Sequence, residues 1–131
     1  MQLQITTDYA IRIISYLAQH RNYLSNANEM ADQLGISYQY FFKVAMRLKE
    51  AGLIVSEQGR HGGYRLAKKA SDITLYDIVE TMEGSICINR CLESNGYCSR
   101  NATPICSVHK ILALLQNDII TVLKNTKISD I

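Results

Sequence analysis

The sequence predicts a mostly α-helical protein with one small β-hairpin, and three observations favour this fold class. Apolar residues recur at helical spacing in three stretches of the first 51 residues. A glycine-centred segment at 53–66 has the composition of two antiparallel strands. Helical patterns return at 74–82 and 104–125. We therefore expect a winged helix-turn-helix unit at 1–72, followed at 73–131 by a cysteine-rich loop and a long C-terminal helix.

Three helices are predicted before the hairpin. The first spans 5–19, and the second spans 27–34 and ends at Gly35. The third spans 38–51 and follows Ser37. Glycine tolerates the left-handed conformation of a tight turn, and a serine hydroxyl caps the free N–H groups of a helix start. The core positions expected in the first and third helices are Ile5, Ala10, Ile13, Ile14, Leu17, Ala18, Phe41, Val44, Ala45 and Leu48.

The hairpin completes the expected DNA-binding unit as its wing. Residues 53–55 and 64–66 are predicted strands, and a glycine-rich turn joins them over 59–63. The turn carries Arg60 and His61, and its glycines allow the backbone to approach DNA closely. Because a narrow minor groove attracts arginine, we expect this tip to contact DNA.

The helix after the tight turn has a solvent face rich in groups that bind DNA. Hydroxyls, an amide and two cations suit base edges and phosphates. An ordinary polar helix face is the alternative, but helix, turn, helix and hairpin in this order favour DNA binding. The candidate DNA-binding residues are Ser37, Tyr38, Gln39, Tyr40, Lys43, Arg47, Arg60 and His61.

Charge is distributed unevenly along the chain. Residues 1–70 hold nine Lys/Arg and five Asp/Glu, whereas residues 71–131 hold five and seven. A basic front half suits a nucleic-acid binder with a second function behind it. The sequence shows no secretory signal and no apolar run near the ~20 residues of a membrane span, so we expect a cytoplasmic protein. It also shows no glycine-rich phosphate loop and no paired nucleophile and base, which argues against an enzyme.

All four cysteines lie within one 20-residue stretch. Cys87, Cys91, Cys98 and Cys106, with His109, give the spacing C-x3-C-x6-C-x7-C-x2-H. The short C-x2-C pair typical of zinc sites is missing. Several soft thiolates on a loop suit an iron–sulfur cluster, which is larger than one ion. A thiol–disulfide switch, a zinc site and unremarkable free cysteines stay open as alternatives.

The elements that flank the cysteine loop, 85–106, are both predicted helices. The helix at 74–82 begins with Thr74 and Asp77 at capping-box spacing. The C-terminal helix is expected to begin at Thr103-Pro104 and run to about Asn125. That start places Cys106 in the first turn, where free N–H groups and the helix dipole stabilise a thiolate.

The C-terminal helix carries apolar residues on two sides, so it requires two partners. Its own domain is one partner, and a second subunit is the other, which predicts a homodimer. The alternative is a helix buried entirely within one domain. The predicted seam is Val108, Leu112, Leu115, Ile119 and Val122, and the second apolar face is Ile111, Leu114 and Leu123.

Taken together, these segments resemble the Rrf2 family of bacterial winged-helix regulators, in its iron–sulfur branch of the IscR and NsrR types. The resemblance covers nearly the whole chain. It includes Thr7-Asp8-Tyr9-Ala10 in the first helix, Ala51-Gly52-Leu53 after the third, and the wing residues 62–67. The resemblance implies a homodimer that binds operator DNA as a repressor or activator.

The resemblance also implies which side chains hold a [2Fe–2S] or [4Fe–4S] cluster. The fourth ligand matches His109 in the cluster-assembly regulators, and Asp8 of the other subunit in the nitric-oxide sensors. Cys87 is additional, and it could replace either of them or act as a resolving thiol. The three cysteine ligands implied by position are Cys91, Cys98 and Cys106.

The expected function is therefore a repressor whose operator affinity depends on an iron–sulfur cluster. The cluster would respond to nitric oxide, redox state or iron and cluster supply. Its loss would shift the cysteine loop and the long helix, and with them the two reader helices. The alternative is a metal-free thiol or cysteine-metabolism regulator of the same fold.

Overall fold

Five α-helices and one two-stranded hairpin build the fold, which a computed structural model describes over all residues, 1–131. The strands pair antiparallel, with Ile54 opposite Leu66 and Glu57 opposite Gly63. The predicted fold class, mostly helical with a hairpin wing, is confirmed. In chain order the elements are α1 (Ile5–Gln19), α2 (Ala27–Leu34), α3 (Tyr38–Glu50), β1 (Ile54–Glu57), β2 (Gly63–Leu66), α4 (Leu75–Glu83) and α5 (Ser107–Asn125).

Local signals in the sequence account for the helix-turn-helix. The side chain of Asn26 caps α2 by accepting the N–H groups of Asn28 and Glu29. Gly35 ends α2 with φ of 65°, in the left-handed region. The hydroxyl of Ser37 then caps α3 by accepting the N–H of Tyr40 at 3.3 Å. The predicted bounds of α1 and α2 and the predicted start of α3 therefore agree with the structure.

The core lies where α1, α3 and α4 meet beside the hairpin. The predicted apolar stripe of α1 is buried or partly buried except at its first residue, Ile5, which is 54% exposed. The prediction for Ile5 was wrong because the first turn of α1 directs Thr7 inward instead. Thr7 is fully buried, and its hydroxyl donates a hydrogen bond to the carboxylate of Glu83 at the end of α4.

Helix α5 begins three residues later than predicted, at Ser107. Thr103 does not cap it, because its hydroxyl donates instead to the carbonyl of Gly96 at 3.1 Å. Cys106 takes the cap position, and its sulfur accepts the N–H of His109 at 3.5 Å. The prediction that Cys106 lies inside the first turn was therefore wrong, because it precedes that turn, although its sulfur does accept one of the free N–H groups there.

One side of α5 packs against its own chain, chiefly against α4, and the other side is exposed. Leu112, Ile119 and Leu123 are partly buried on the inner side. The predicted division into seam and second face was wrong, because Leu112 and Ile119 contribute to the inner side, as Leu123 does. The exposed apolar stripe comprises Val108 (62% exposed), Ile111 (64%), Leu115 (47%) and Val122 (64%), and Leu114 beside it is 61% exposed.

The segment after α5 returns to the core, which the sequence did not predict. Ile128 is buried, and its N–H donates to the carbonyl of Ile73 at 2.9 Å. The N–H of Leu75 donates to the carbonyl of Thr126 at 2.9 Å. The far end of α5 is thereby fixed beside the start of α4. None of the helices has the length and apolar character that a membrane span requires.

Candidate cysteine site and DNA-binding face

Three of the four cysteines and the nearby histidine line one cavity of about 390 Å³. A short 3₁₀ turn, Arg90–Leu92, supplies Cys91, and the start of α5 supplies Cys106 and His109. Cys98 comes from the irregular chain between these two elements. No three of the Cys, His, Asp and Glu side chains are close enough together to bind a single metal ion. The cavity brings together four of the six side chains that the sequence proposes as cluster ligands.

His109 contacts two of the thiols, one through its imidazole and the other through its backbone. Its Nδ1 is 3.3 Å from the sulfur of Cys91, and its backbone N–H donates to Cys106. The side-chain amide of Asn89 also donates to the sulfur of Cys91, at 3.3 Å. These contacts hold His109 and Asn89 beside the sulfurs of Cys91 and Cys106.

The loop lowers the pKa of the Cys98 thiol below its ordinary value. The main cause is a hydrogen bond from the backbone N–H of Ala102, followed by one from Arg100. Partial desolvation opposes the shift, and the charge of Arg100 adds to it. Cys98 is therefore the thiol that this loop prepares as a thiolate.

We expect Cys98 to be alkylated faster than Cys87 in reduced, metal-free protein. The lowered pKa leaves more Cys98 as the reactive thiolate near neutral pH, whereas the thiol of Cys87 donates a hydrogen bond to the carbonyl of Leu92 at 3.6 Å. Timed iodoacetamide labelling with peptide mass spectrometry at several pH values measures both rates. Equal alkylation rates at neutral pH would contradict a lowered pKa at Cys98. The Arg100→Gln substitution should reduce the difference between the two rates without removing it.

Cys87 lies apart from the other three thiols. It borders a separate, mainly apolar cavity of about 510 Å³ between the N-terminal residues, α4 and α5. Leu3, Ile119 and Leu123 line that cavity with it. The structure therefore groups Cys91, Cys98, Cys106 and His109 and leaves Cys87 out.

Asp8 lies on α1 and does not line the cysteine cavity of its own chain. Its carboxylate accepts a hydrogen bond from Arg12 at 2.5 Å. Arg12 also donates to the carbonyl of Leu34, at the end of α2, at 3.0 Å. Within one chain, Asp8 is therefore paired with a cation of its own helix.

The predicted DNA-binding residues are all exposed, and most of them surround the first turns of α3. Gln39, Tyr40 and Lys43 line a shallow depression of about 250 Å³. The ammonium of Lys43 lies 5.9 Å from the centre of the Tyr40 ring. Ser37 and Tyr38 precede them at the helix start. This end of α3 thus presents hydroxyl, amide and cationic groups to solvent, as base edges and phosphates require.

The wing carries the exposed residues Arg60 and His61 at a turn that requires glycine. A Cβ on Gly62 would come within 2.1 Å of the carbonyl oxygen of Glu57, which excludes any other residue. A Cβ on Gly63 would come within 2.4 Å of the carbonyl oxygen of Ser25. The two glycines therefore hold the tip in a narrow shape and allow the segment before α2 to pack on β2.

Arg47 differs from the other predicted DNA-binding residues. It lies in the last turn of α3, and its guanidinium donates to the backbone carbonyl of Thr81 in α4 at 2.7 Å. The contact joins residues 34 positions apart in the sequence. The structure therefore directs Arg47 toward α4 while the remaining reader residues face solvent.

Three residues of the cysteine cavity were missed in the sequence. Asn89 donates to Cys91, and Arg90 and Tyr97 line the wall, with the guanidinium 4.3 Å from the centre of the Tyr97 ring. The available signal was charge, because Arg90 and Arg100 are the only Lys or Arg residues inside the cysteine loop. Cations beside thiolates balance the negative charge of such a site.

Comparisons with known proteins agree with this architecture. The family profile described as "Rrf2: Iron-dependent Transcriptional regulator" matches residues 3–131. Protein aau3 of Rhizobium meliloti (strain 1021) is 34% identical over 131 residues, which cover 100% of this chain and 84% of that protein. The HTH-type transcriptional regulator NsrR of Shouchella clausii (strain KSM-K16) is 40% identical over 95 residues, 69% of this chain and 64% of that protein.

Solved structures share the fold over almost the whole chain. CymR (YrzC), the global cysteine regulator of B. subtilis, superposes with a TM-score of 0.81 at 24% identity, covering 99% of this chain and 95% of that chain. IscR of T. potens gives a TM-score of 0.79 at 24% identity, covering 99% and 85%. At this identity the two structures support the fold alone.

Proposed function

The chain belongs to the Rrf2 family of transcriptional regulators, and we propose that it is a dimeric repressor whose operator affinity depends on an iron–sulfur cluster. Members of this family bind DNA and are not enzymes. The observation that supports the cluster is the grouping of three thiols and an imidazole around one cavity. We assign the cluster to this cavity, with Cys91, Cys98 and Cys106 as its cysteine ligands.

The donor set fits this cofactor. Soft thiolates are the preferred ligands of iron–sulfur clusters, and the cavity is larger than one ion requires. The pKa of Cys98 is lowered, and the start of α5 directs an N–H group at Cys106. When bound, the cluster supplies iron atoms that nitric oxide, oxygen or a shortage of iron can alter.

His109 is the fourth ligand that we propose. It is the one candidate that lies in the cavity with the three cysteines. Cys87 faces a different cavity, and Asp8 is paired with Arg12 on α1. Asp8 from a second subunit, which the family resemblance also implies, is the alternative, and it requires that the pair with Arg12 opens.

A metal-free thiol regulator is the second candidate function. CymR-like members of the family lack clusters, and the B. subtilis structure is named as a cysteine regulator. The lowered pKa of Cys98 would serve a thiol switch as well as a metal ligand. A disulfide to Cys87 would, however, have to join thiols that line separate cavities. We therefore place this candidate second.

The cysteine loop reaches the DNA-binding unit through the end of α4. The loop begins directly after α4, which packs against both α1 and α3. Glu83, in the last turn of α4, accepts hydrogen bonds from the N–H of Gln4 at 2.8 Å and from the hydroxyl of Thr7. A shift of the loop therefore moves groups that hold the start of α1.

We assign DNA contact to the first turns of α3 and to the wing. The N-terminal residues of a reader helix contact base edges in the major groove, and the free N–H groups there attract phosphate. Arg60 at the wing tip then reaches the adjacent minor groove. The residues assigned to these contacts are Ser37, Tyr38, Gln39, Tyr40 and Lys43 on α3, with Arg60 and His61 on the wing.

The exposed stripe of α5 supports a homodimer. Val108, Ile111, Leu115 and Val122 form one apolar line along a helix whose other side already packs on its own chain. An exposed apolar stripe of this kind marks an interaction surface. Two copies joined there would present two reader helices to two half-sites, about 34 Å apart on B-form DNA. We propose that this pairing occurs in the cytoplasm.

The test is to purify the protein without oxygen and to measure iron, sulfide and DNA binding together. An operator is first selected from a random duplex library, and its affinity is then measured for loaded and for cluster-free protein. We expect two to four iron atoms per subunit and an affinity ratio of at least about tenfold between the two forms. Iron-free protein with an affinity that depends on thiol oxidation would support the second candidate instead.

A further inference from the structure

The contact between Arg47 and Thr81 connects the reader helix to the helix that leads into the cysteine loop. The guanidinium of Arg47 donates to the backbone carbonyl of Thr81 at 2.7 Å. That carbonyl belongs to the last turn of α4, where four carbonyls lack a partner within the helix. A cation at a helix C-terminus also interacts favourably with the helix dipole. Arg47 therefore acts as a cap of α4 that is supplied by α3.

The position of Arg47 along α3 argues against a role in reading bases. Reader helices contact base edges with their N-terminal residues. Arg47 is the tenth residue of α3, which places it roughly 14 Å from Tyr38 along the helix axis, at 1.5 Å per residue. Lys43, one turn nearer the start, lies in the surface depression with Gln39 and Tyr40, and Arg47 does not.

The end of α4 is also held from a second direction. Glu83 accepts hydrogen bonds from Gln4 and Thr7 at the start of α1. Gly84 then ends α4 with φ of 83°, and the cysteine loop follows. The last turn of α4 is thus bonded to α1 on one side and to α3 on the other. If the first residues of the cysteine loop move, this last turn of α4 moves with them.

We propose that Arg47 is a positioning residue that couples the cysteine loop to the reader helix, and that it does not contact DNA. The proposal rests on the proposed function. The bond from Arg47 fixes the orientation of the last turn of α3 relative to α4. A movement of α4 at Thr81 therefore changes the angle at which the first turns of α3 enter the groove.

The test compares Arg47→Met with Lys43→Met, which removes a cation from the same helix one turn earlier. Operator affinity is measured over a range of salt concentrations, for loaded and for cluster-free protein. Arg47→Met should leave the salt slope unchanged and reduce the affinity ratio of the two forms at least fivefold, as an order-of-magnitude expectation. Lys43→Met should lower the slope by about 0.9, the value for one lost phosphate contact, and leave the ratio unchanged.

Arg47→Lys provides the conservative control, because an ammonium retains one donor for the carbonyl of Thr81. It should restore part of the affinity ratio. Thermal melting checks that all three variants are folded. The inference is overturned if Arg47→Met lowers the salt slope as Lys43→Met does, or if it leaves the affinity ratio at the native value.

Failure of the proposed function is distinguishable from failure of this inference. If the native protein binds no iron, the cluster proposal fails, and the coupling is tested by thiol labelling. If Arg47 links the reader helix to the cysteine loop, operator DNA should then change the labelling rate of Cys98 in native protein and not in Arg47→Met. An operator effect of equal size in both proteins, or in neither, would overturn the role of Arg47.

Discussion

Serine in place of Cys91, Cys98 or Cys106 should remove the bound iron and the dependence of operator affinity on it. All three thiols line the same cavity, and an alcohol is a poor ligand for iron in a site built from soft donors. Each variant purified without oxygen should retain less than about a tenth of the native iron. Its operator affinity should stay at the value of the cluster-free native protein, so the expected change is loss of the whole response.

Cys87→Ser is the matched control, because it makes the same chemical change in the neighbouring cavity. It should keep native iron content and a native response. Iron lost from Cys87→Ser and kept in Cys98→Ser would refute the ligand set. His109→Ala should weaken iron binding without changing the three thiols. Native iron content in that variant would indicate that Asp8 of the other subunit, and not His109, is the fourth ligand.

Aspartate at both Ile111 and Leu115 should convert the protein to a monomer and abolish tight operator binding. The two side chains lie next to each other on the exposed stripe of α5, so dimerisation would bury two unpaired carboxylates. A monomer binds only one half-site. Without the second reader helix on the second half-site, the affinity should fall about 10²-fold or more. Analytical ultracentrifugation gives the mass, and fluorescence anisotropy gives the affinity.

Asn117→Asp is the control for the charge itself. Asn117 is exposed on the side of α5 opposite the stripe, so the same carboxylate there should leave mass and affinity native. Circular dichroism should give the native helix content for both proteins. A dimeric Ile111→Asp/Leu115→Asp protein with native operator affinity would exclude the stripe as the subunit interface.

Local signals predicted the DNA-binding unit well. Gly35 and Ser37 act through atoms within four residues of themselves, so their roles are visible in the sequence. The same holds for the capping box of Thr74 and Asp77, which the structure confirms. The recurring apolar positions of α1 and α3 likewise predicted the core, because each helix buries one side.

Contacts between distant residues account for the errors. Thr103 was assigned as a cap because it precedes Pro104, and its actual partner, the carbonyl of Gly96, lies seven residues away on an irregular loop. Arg47 was assigned to DNA as a cation on the solvent face of α3, and its bond to Thr81, which spans 34 positions, could not be predicted from the sequence. The sequence does not show which side of α5 is buried, because both sides are apolar and only the packing on α4 distinguishes them. For the same reason, the sequence does not show that Cys87 borders a different cavity from the other thiols.

The anchored end of α5 gives the helix the properties of a lever. The carbonyl of Thr126 and the buried Ile128 fix one end, whereas Cys106 begins the other end inside the cysteine loop. The 19 residues of α5 span about 28 Å, so a tilt of about 5° at the pivot moves the Cys106 end by roughly 2.4 Å. Along the stripe, Val108 then travels farthest and Val122 least. A displacement of the cysteine loop would therefore separate the proposed subunit contact at Val108 before it reaches Val122.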